Sequence, residues 1–448
     1  MDTLKENFQE ITAQAKQDGV KVEMLVAGGE SLELGFQQLK LSKFESTQSQ
    51  TAGLRVLLGA AQGYASTENL SLEALLRTYK EALNNARTVA SADSFEIPMV
   101  KPQPYQKMDT LCTTEEIAME RKMEIAKGLE EKCLKLDSRV QVVPYSGFSE
   151  STSFWRVLNS EGVDQEFKQR YYAGNATPLA KEGENSKMGG EGFFARNFDQ
   201  INVDEVTQES VTNAVKYLGA TKLKTGVYPV VLDRKVMPKL LSMLIAYLSA
   251  KEVYEGKSLL QNKLGQQVAS EKFQLVDDPF EMRGAGVRPF DAEGAPSQKT
   301  VLFENGVLKN FLTNLEYAKR MNLPHTANAA RGPSSPMDIA PTNLVVAKGT
   351  KTLEQLLAHN PGKTVHITKF TGGLHAGFKQ STGDLSMPAE GFLYEDGKCL
   401  GAVDQFVVSG NVLDVLRDIV ELGDSYRKPG SSLIAPDVLI KSMSVAGG

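Results

Sequence analysis

The stretch GVYPVVL (residues 226–232), DRKV (233–236) and MPKLLSMLIAYLSA (237–250) reads as strand, turn and helix. Pro238 suits the first helical turn, where its missing N–H would have no intrahelical partner anyway. From there Met237, Leu240, Leu241, Leu244, Ile245 and Leu248 recur at helical spacing and define one apolar face. The pattern predicts a buried helix following an apolar strand, so this part of the chain mixes α and β structure within one core.

The whole chain has 448 residues, beyond the size at which a single core stops growing, and two or three domains are expected. With 41% hydrophobic and 23% charged residues it has an ordinary globular composition. A formal net charge of −5 gives no basic footprint, so direct nucleic-acid binding is not expected. No apolar run approaches the ~20 residues that cross a bilayer, and the charged opening, Met1 to Asn7, lacks the apolar centre of a signal peptide. The expectation is a cytoplasmic chain without a membrane partner. Cys112, Cys133 and Cys399 are odd in number and form no CxxC pair, which reads as reduced thiols packed into the fold rather than reactive.

Outward from the opening stretch, the first half uses one plan twice. Residues 1–18 read as a helix, 20–26, 32–36 and 53–58 as strands, and 70–89 as a long helix. Pro98, Pro102 and Pro104 make residues 90–110 an extended linker. A charged helix over 114–134, strands over 139–145, 151–158 and 165–173, and a helix over 203–218 repeat the plan, while the Gly/Glu-rich residues 180–192 read as a mobile loop. Beyond residue 223 the chain is strand-rich, and Asn305-Gly306 and Asp396-Gly397 read as hairpin turns. The fold class expected is α+β: two α/β amino-terminal modules, residues 1–95 and 112–220, followed by a β-rich, barrel- or sandwich-like carboxy-terminal domain, residues 223–448.

Local chemistry is sparse. The four histidines are His325, His359, His366 and His375, and no two have the i, i+4 spacing that aims both at one metal from a helix. His366 alternates with Val365 and Ile367 and reads as a satisfied or solvent-facing strand residue. His375 lies among Gly372, Gly373 and Gly377, where glycines allow close backbone approach, and is a candidate peptide contact beside a plain loop role. The same glycines fail as a phosphate loop because Phe378 interrupts the Gly-Lys-Ser/Thr core. No Gly-x-Ser-x-Gly elbow is present. Asp277-Asp278 reads as a solvated turn before Pro279, and Asp384 as a turn residue or a contact for a peptide amine.

Several segments resemble, in order, the carboxy-terminal region of the TldD/PmbA family: Asp277-Asp278-Pro279, Arg283-Gly284, Asp291-Ala292-Glu293-Gly294, Phe303 to Leu308, and Thr382-Gly383-Asp384-Leu385-Ser386. Gly53-Leu54-Arg55-Val56 and Asn159-Ser160-Glu161-Gly162 extend the resemblance over nearly the whole chain. Thr382 to Ser386 followed by Gly391-Phe392 is similar to the PmbA/TldE branch, whose older label is modulator of DNA gyrase.

The resemblance implies a zinc-protease framework in which the TldD-like subunit carries His-Glu-x-x-x-His on a helix and a later cysteine ligand. Zinc requires imidazole, thiolate or carboxylate donors converging on one point. Aligned from Val230-Val231-Leu232, the first His, the Glu and the second His correspond to Ser242, Met243 and Tyr247. Serine is a poor zinc donor, methionine is no general base, and a phenol with a pKa near ~10 stays protonated at neutral pH. Residues 426–432 lack the cysteine segment, and Cys399 lies upstream of it. The expectation is a subunit with no catalytic, metal or cofactor residues of its own. It would help to enclose unfolded peptides beside a TldD-like zinc protease subunit and would form a homodimer in isolation. The alternatives are a homodimeric, non-catalytic peptide or small-ligand binding protein and an independent hydrolase with another site.

Overall fold

The computed structural model describes residues 2–89, 94–373 and 377–448. The helix read from residue 237 is Met237–Leu248, with Pro238 in its first turn. It ends before residue 250 because Ser249 turns extended, at φ −76° and ψ 123°, and bridges to Leu312. A short helix, Ala250–Tyr254, follows. Leu240, Leu241, Leu244 and Leu248 are buried as expected, and Met243 and Tyr247 are buried too. The helix is therefore enclosed on more than its apolar stripe.

The strand before it, Gly226–Leu232, belongs to a closed ring of five. It runs parallel to Lys363–Phe370 and antiparallel to Pro436–Ala446. Pro436–Ala446 pairs with Lys398–Asn411, which pairs with Asp384–Glu395, which returns to Lys363–Phe370. The carboxy-terminal region is thus a barrel rather than a sandwich, and closure removes edges within the ring. The two-residue period of a strand sorts the side chains. Val230, Leu232, Val365 and Ile367 join a core shared with Leu240 and Leu244 of the helix. Val231 and Leu439 face the opposite way, onto Leu356 and Leu357. The hairpins at Asn305-Gly306 and Asp396-Gly397 form as read, with all four residues at positive φ.

Strands from both amino-terminal segments merge into one antiparallel sheet, ordered Ala61–Thr67, Lys40–Leu58, Lys21–Gln37, Val140–Asn159, Asp164–Glu182 and Asn185–Met188, with Glu191–Ala195 also on Asp164–Glu182. Its central ladder, from Glu23 opposite Asn159 to Leu34 opposite Phe148, joins one segment to the other. The strands are longer than the sequence pattern implied, because residues 40–50 are exposed on both faces and carry no burial alternation. Residues 180–192 are no mobile loop: Asn185–Met188 folds back on Leu179 to Glu182 as a hairpin, and Glu191 begins the next strand. The helices Thr3–Gln17 and Leu72–Thr88 pack on one half of the sheet, and Met119–Leu136 and Val203–Val215 on the other. The cysteines differ among themselves. Cys133 is buried, which pushes its thiol up to about 12, but Cys112 is only half-buried and Cys399 is exposed on the outer barrel surface.

The sheet meets the carboxy-terminal domain through buried charges. Arg55 Nη1 lies 3.1 Å from Glu293 Oε1 and 3.6 Å from Glu23 Oε2, and Arg331 Nη2 lies 2.9 Å from Glu23 Oε1. All four side chains are at most 2% exposed. Beside them Gly53 touches the opposing backbone so closely that a Cβ would lie 1.8 Å from the Pro333 carbonyl oxygen. Removing one member strands its partner without solvent, at a cost of about 3–5 kcal/mol, whereas replacing a pair by apolar groups is far cheaper. We expect Arg55→Ala to lower stability by about that amount, and the Arg55→Met/Glu293→Met pair to recover most of it. Urea unfolding of the three proteins checks both.

Candidate functional site

A cleft of about 650 Å³ lies where the amino-terminal sheet meets the barrel, at the start of the Met237–Leu248 helix. The sheet contributes Asn175, Thr177 and residues 188–192, and the end of the Val203–Val215 helix and the turn after it contribute Asn213, Lys216 and Tyr217. The barrel side supplies Asp233, Lys235, Lys239, Thr368, Lys369 and Phe370, with Arg427 from the segment after strand Ile419–Tyr426. The apolar strand ends at Leu232, so residues 233–236 turn across the barrel mouth and carry their charges to this rim.

Five cations and two carboxylates line the cleft. Glu191, 4% exposed at its side chain, pairs with both Lys235 and Arg427. Burial opposes its ionisation, yet Arg427 and Lys235 hold its carboxyl below the ordinary value. Lys369 lies 3.2 Å from Glu390, and the Lys239 ammonium donates to the Gly372 carbonyl. Lys216 has no carboxylate partner among the described residues; it sits over the Tyr217 ring at 5.2 Å, and burial together with Lys235 lowers its pKa. The strand Glu191–Ala195 borders the cleft and pairs on one side only, with Asp164–Glu182. Among the described residues the other edge has no strand against it. The N–H groups of Glu191 and Gly192 are taken by Ser210 Oγ and Glu191 Oε1, so it is the cationic wall that can hold the carbonyls and carboxylates of an extended peptide.

The residues singled out in the sequence do not gather here. Ser242 Oγ donates to the Lys239 carbonyl at 2.6 Å, Met243 is 2% exposed in the core, and the Tyr247 hydroxyl donates to the Gln380 carbonyl. Their side chains are committed inside the fold, and a serine hydroxyl, a thioether and a phenol do not fit zinc. Asp384 is exposed, accepting from Thr382 Oγ1 at 2.6 Å and Asn411 Nδ2 at 3.2 Å, and these bonds hold its carboxyl below the ordinary value. It opens strand Asp384–Glu395, opposite Lys379 and Asn411, rather than lying within the turn before it. His375 lies outside the described residues.

Sequence reading missed two donor groups, each with ligand atoms within 4.8 Å of one another: Asp233, His366 and Asp437, and Asp291, Glu293 and His325. His366 is buried rather than solvent-facing, with Nε2 3.3 Å from Asp233 Oδ2. Asp233 also accepts from the Lys235 backbone, and Asp437 from the Arg234 backbone at 2.7 Å. In the second group, Asp291 accepts three backbone N–H bonds, and burial raises the Glu293 carboxyl while Arg55 pulls it down. These partners give both groups a structural role in pinning turns. Asp277, read as solvated, is instead 1% exposed and accepts from Asn328 and twice from Thr342. No local spacing marks these residues, because the partners are far apart in sequence.

Three family models match successive parts of the chain: PmbA/TldA metallopeptidase domain 1 over residues 22–86, the central domain over 113–218 and the C-terminal domain over 225–447. The chain belongs to the PmbA/TldD family. It is 24% identical over 437 residues to metalloprotease PmbA of Escherichia coli O157:H7, covering 97% of this chain and 94% of that one. A Thermotoga maritima crystal structure, named as a modulator of a DNA gyrase, superposes with a TM-score of 0.89 at 29% identity, covering 99% of this chain and all of the other. TldE from Thermococcus kodakarensis shares the fold, with a TM-score of 0.87 at 20% identity over 98% of this chain and all of that one. No described helix is long and apolar enough to cross a membrane.

Glu191 provides a test of the cleft. Its lowered pKa means the folded state favours the ionised form, so its contribution is present above the ordinary glutamate value and lost as pH falls through the folded-state value. Because Lys235 and Arg427 are 33% and 42% exposed, the pairing is screened and is worth about 1–2 kcal/mol. We expect Glu191→Gln to lower stability by that amount at pH 7. The gap should narrow as pH falls below the ordinary glutamate value of ~4.3 and close only below the lower folded-state value, as measured by denaturant unfolding across pH.

Proposed function

We propose that this chain is the PmbA/TldE-like component of a cytoplasmic two-part protease, holding an unstructured peptide while a TldD-like partner supplies zinc and the general base. The observation that carries this reading is the Met237–Leu248 helix. The positions corresponding to the family's His, Glu and His are Ser242, Met243 and Tyr247, whose side chains are committed to internal contacts. A helix that keeps the framework but lacks donors fits a non-catalytic subunit of a peptidase family. No chemical step is assigned to it.

Two further features support the reading. The cations Lys216, Lys235 and Lys239 offer hydrogen bonds and charge to the carbonyls and carboxylate of a peptide, independent of its side chains. At the far end of the amino-terminal sheet, Leu39, Leu41, Phe44 and Tyr145 are 40–64% exposed. Apolar side chains so placed suit a protein partner. They also favour the second reading, a homodimeric non-catalytic peptide or small-ligand binding protein, because two copies could bury the same surface against each other. The free thiols Cys112, Cys133 and Cys399 support a reducing compartment.

The discriminating experiment measures cleavage of an unfolded peptide, with bound zinc quantified, for this chain alone and mixed with a TldD-like subunit from the same cell. We expect a homodimer without peptidase activity alone, and a mixed complex with chelator-sensitive cleavage. A chain that stays homodimeric in the mixture supports the binding-protein reading. Chelator-sensitive activity with stoichiometric zinc in the chain alone overturns both.

A further inference from the structure

A second cavity, of about 630 Å³, lies on the other side of the contact between sheet and carboxy-terminal domain, and none of the cleft residues lines it. One wall is apolar and aromatic: Leu25, Trp155 and Phe167 from the sheet, and Phe290 from the opposing loop, with the Phe167 and Phe290 rings edge to face at 5.3 Å. Leu25 and Phe290 are buried, but Trp155 and Phe167 are only half-buried although they stand among core residues. Their uncovered faces meet the cavity.

The charged groups of this cavity are compensated unevenly: two cations are in direct pairs, whereas Arg288 feels Asp291 and Asp277 only at longer range. Lys251 pairs with Asp338 at 3.2 Å, Arg331 with Glu23 at 2.9 Å, and Asp291 is saturated by backbone N–H groups. Arg288 has no carboxylate within ion-pair distance among the described residues; it donates one bond, to the Ala327 carbonyl at 3.2 Å, and its Nε is enclosed without an acceptor. Arg331 Nε and Nη1 are enclosed without acceptors as well. These enclosed atoms are out of a ligand's reach, which leaves Arg288 Nη1, unbonded among the described residues and not enclosed, as the guanidinium donor that can meet the cavity. A guanidinium presents its donors as a planar fork matched to a carboxylate. An aromatic wall of this size suits a body of one or two rings or branched chains.

We propose that this cavity binds a carboxylate carried on an aromatic or branched apolar body, with Arg288 as the partner of the carboxylate and Trp155, Phe167 and Phe290 holding the body. The carboxylate could come from a free small acid or from the C-terminus of a peptide, and the chemistry recognised is the same. The proposal is independent of the two-component reading, because the cavity is complete within one chain.

Trp155 is the sole tryptophan of the sequence, so intrinsic tryptophan fluorescence of the full chain reports on this cavity alone. The probes are 3-phenylpropionate, its amide, a tetrapeptide ending in phenylalanine with a free carboxylate, and the same tetrapeptide amidated. At least one acid should give a saturable change and bind about tenfold or more tightly than its amide, the scale of a charge-assisted pair. Binding of the small acid identifies a free acid as occupant, and binding of the tetrapeptide alone identifies a peptide C-terminus. Arg288→Gln, checked for native circular dichroism, should erase the difference between acid and amide, with Arg288→Lys retaining part of it. No saturable signal from either acid, or equal affinity for acid and amide, overturns the proposal. Because the acid and amide are compared on the unaltered chain, the test holds even if the variants fail to fold.

Discussion

The structure depends on four charges buried where water cannot reach them. Arg55 and Glu23 come from neighbouring strands of the amino-terminal sheet, and Glu293 and Arg331 from loops of the carboxy-terminal domain. Buried ion pairs contribute little net stability, but each member is costly without its partner. The effect is to fix placement: the sheet sits against the other domain where Arg55 meets Glu293 and Glu23 meets Arg331. Gly53 tightens the same constraint by letting two backbones touch. The cleft on one side of this junction and the aromatic cavity on the other are both products of that docking, since neither domain encloses either space alone.

Within the barrel a similar rule governs the helix. Its apolar face joins a core with the inward side chains of the ring, and its remaining polar groups bond to nearby carbonyls. The chemistry available to the cleft comes instead from the turn before the helix and its first turn, where Asp233, Lys235 and Lys239 reach the rim.

Local pattern carried much of the fold. The helix starting at Met237, the two Asx-Gly hairpins and the helices flanking the sheet all follow from periodicity and turn chemistry that act within a few residues. A closed, barrel- or sandwich-like sheet was expected, but the choice between them was not legible, because it rests on pairing Gly226–Leu232 with strands far along the chain, and no local signal encodes a partner. The hairpin at Asn185–Met188 was read as a loop because glycine and glutamate are poor strand formers in isolation; its register comes from the neighbouring strand. At the site, the side chains of Ser242, Met243 and Tyr247 were identified by resemblance, and their internal bonding needed the structure. Burial of His366 and Asp277 was hidden for the same reason as the choice of barrel: the groups that cover them are distant in sequence.

The order of strands in the ring has a consequence for how the chain is made. Gly226–Leu232 is the first of the five to be synthesised, and one of its two neighbours, Pro436–Ala446, is the last. The amino-terminal sheet can complete its pairings once Ala195 has emerged. The barrel strand and the apolar helix behind it must instead wait, uncovered, for most of the remaining translation. Such long-range pairing is slow and leaves adhesive surface exposed in the interval. Synthesis of the carboxy-terminal half is therefore the interval in which this surface stays uncovered.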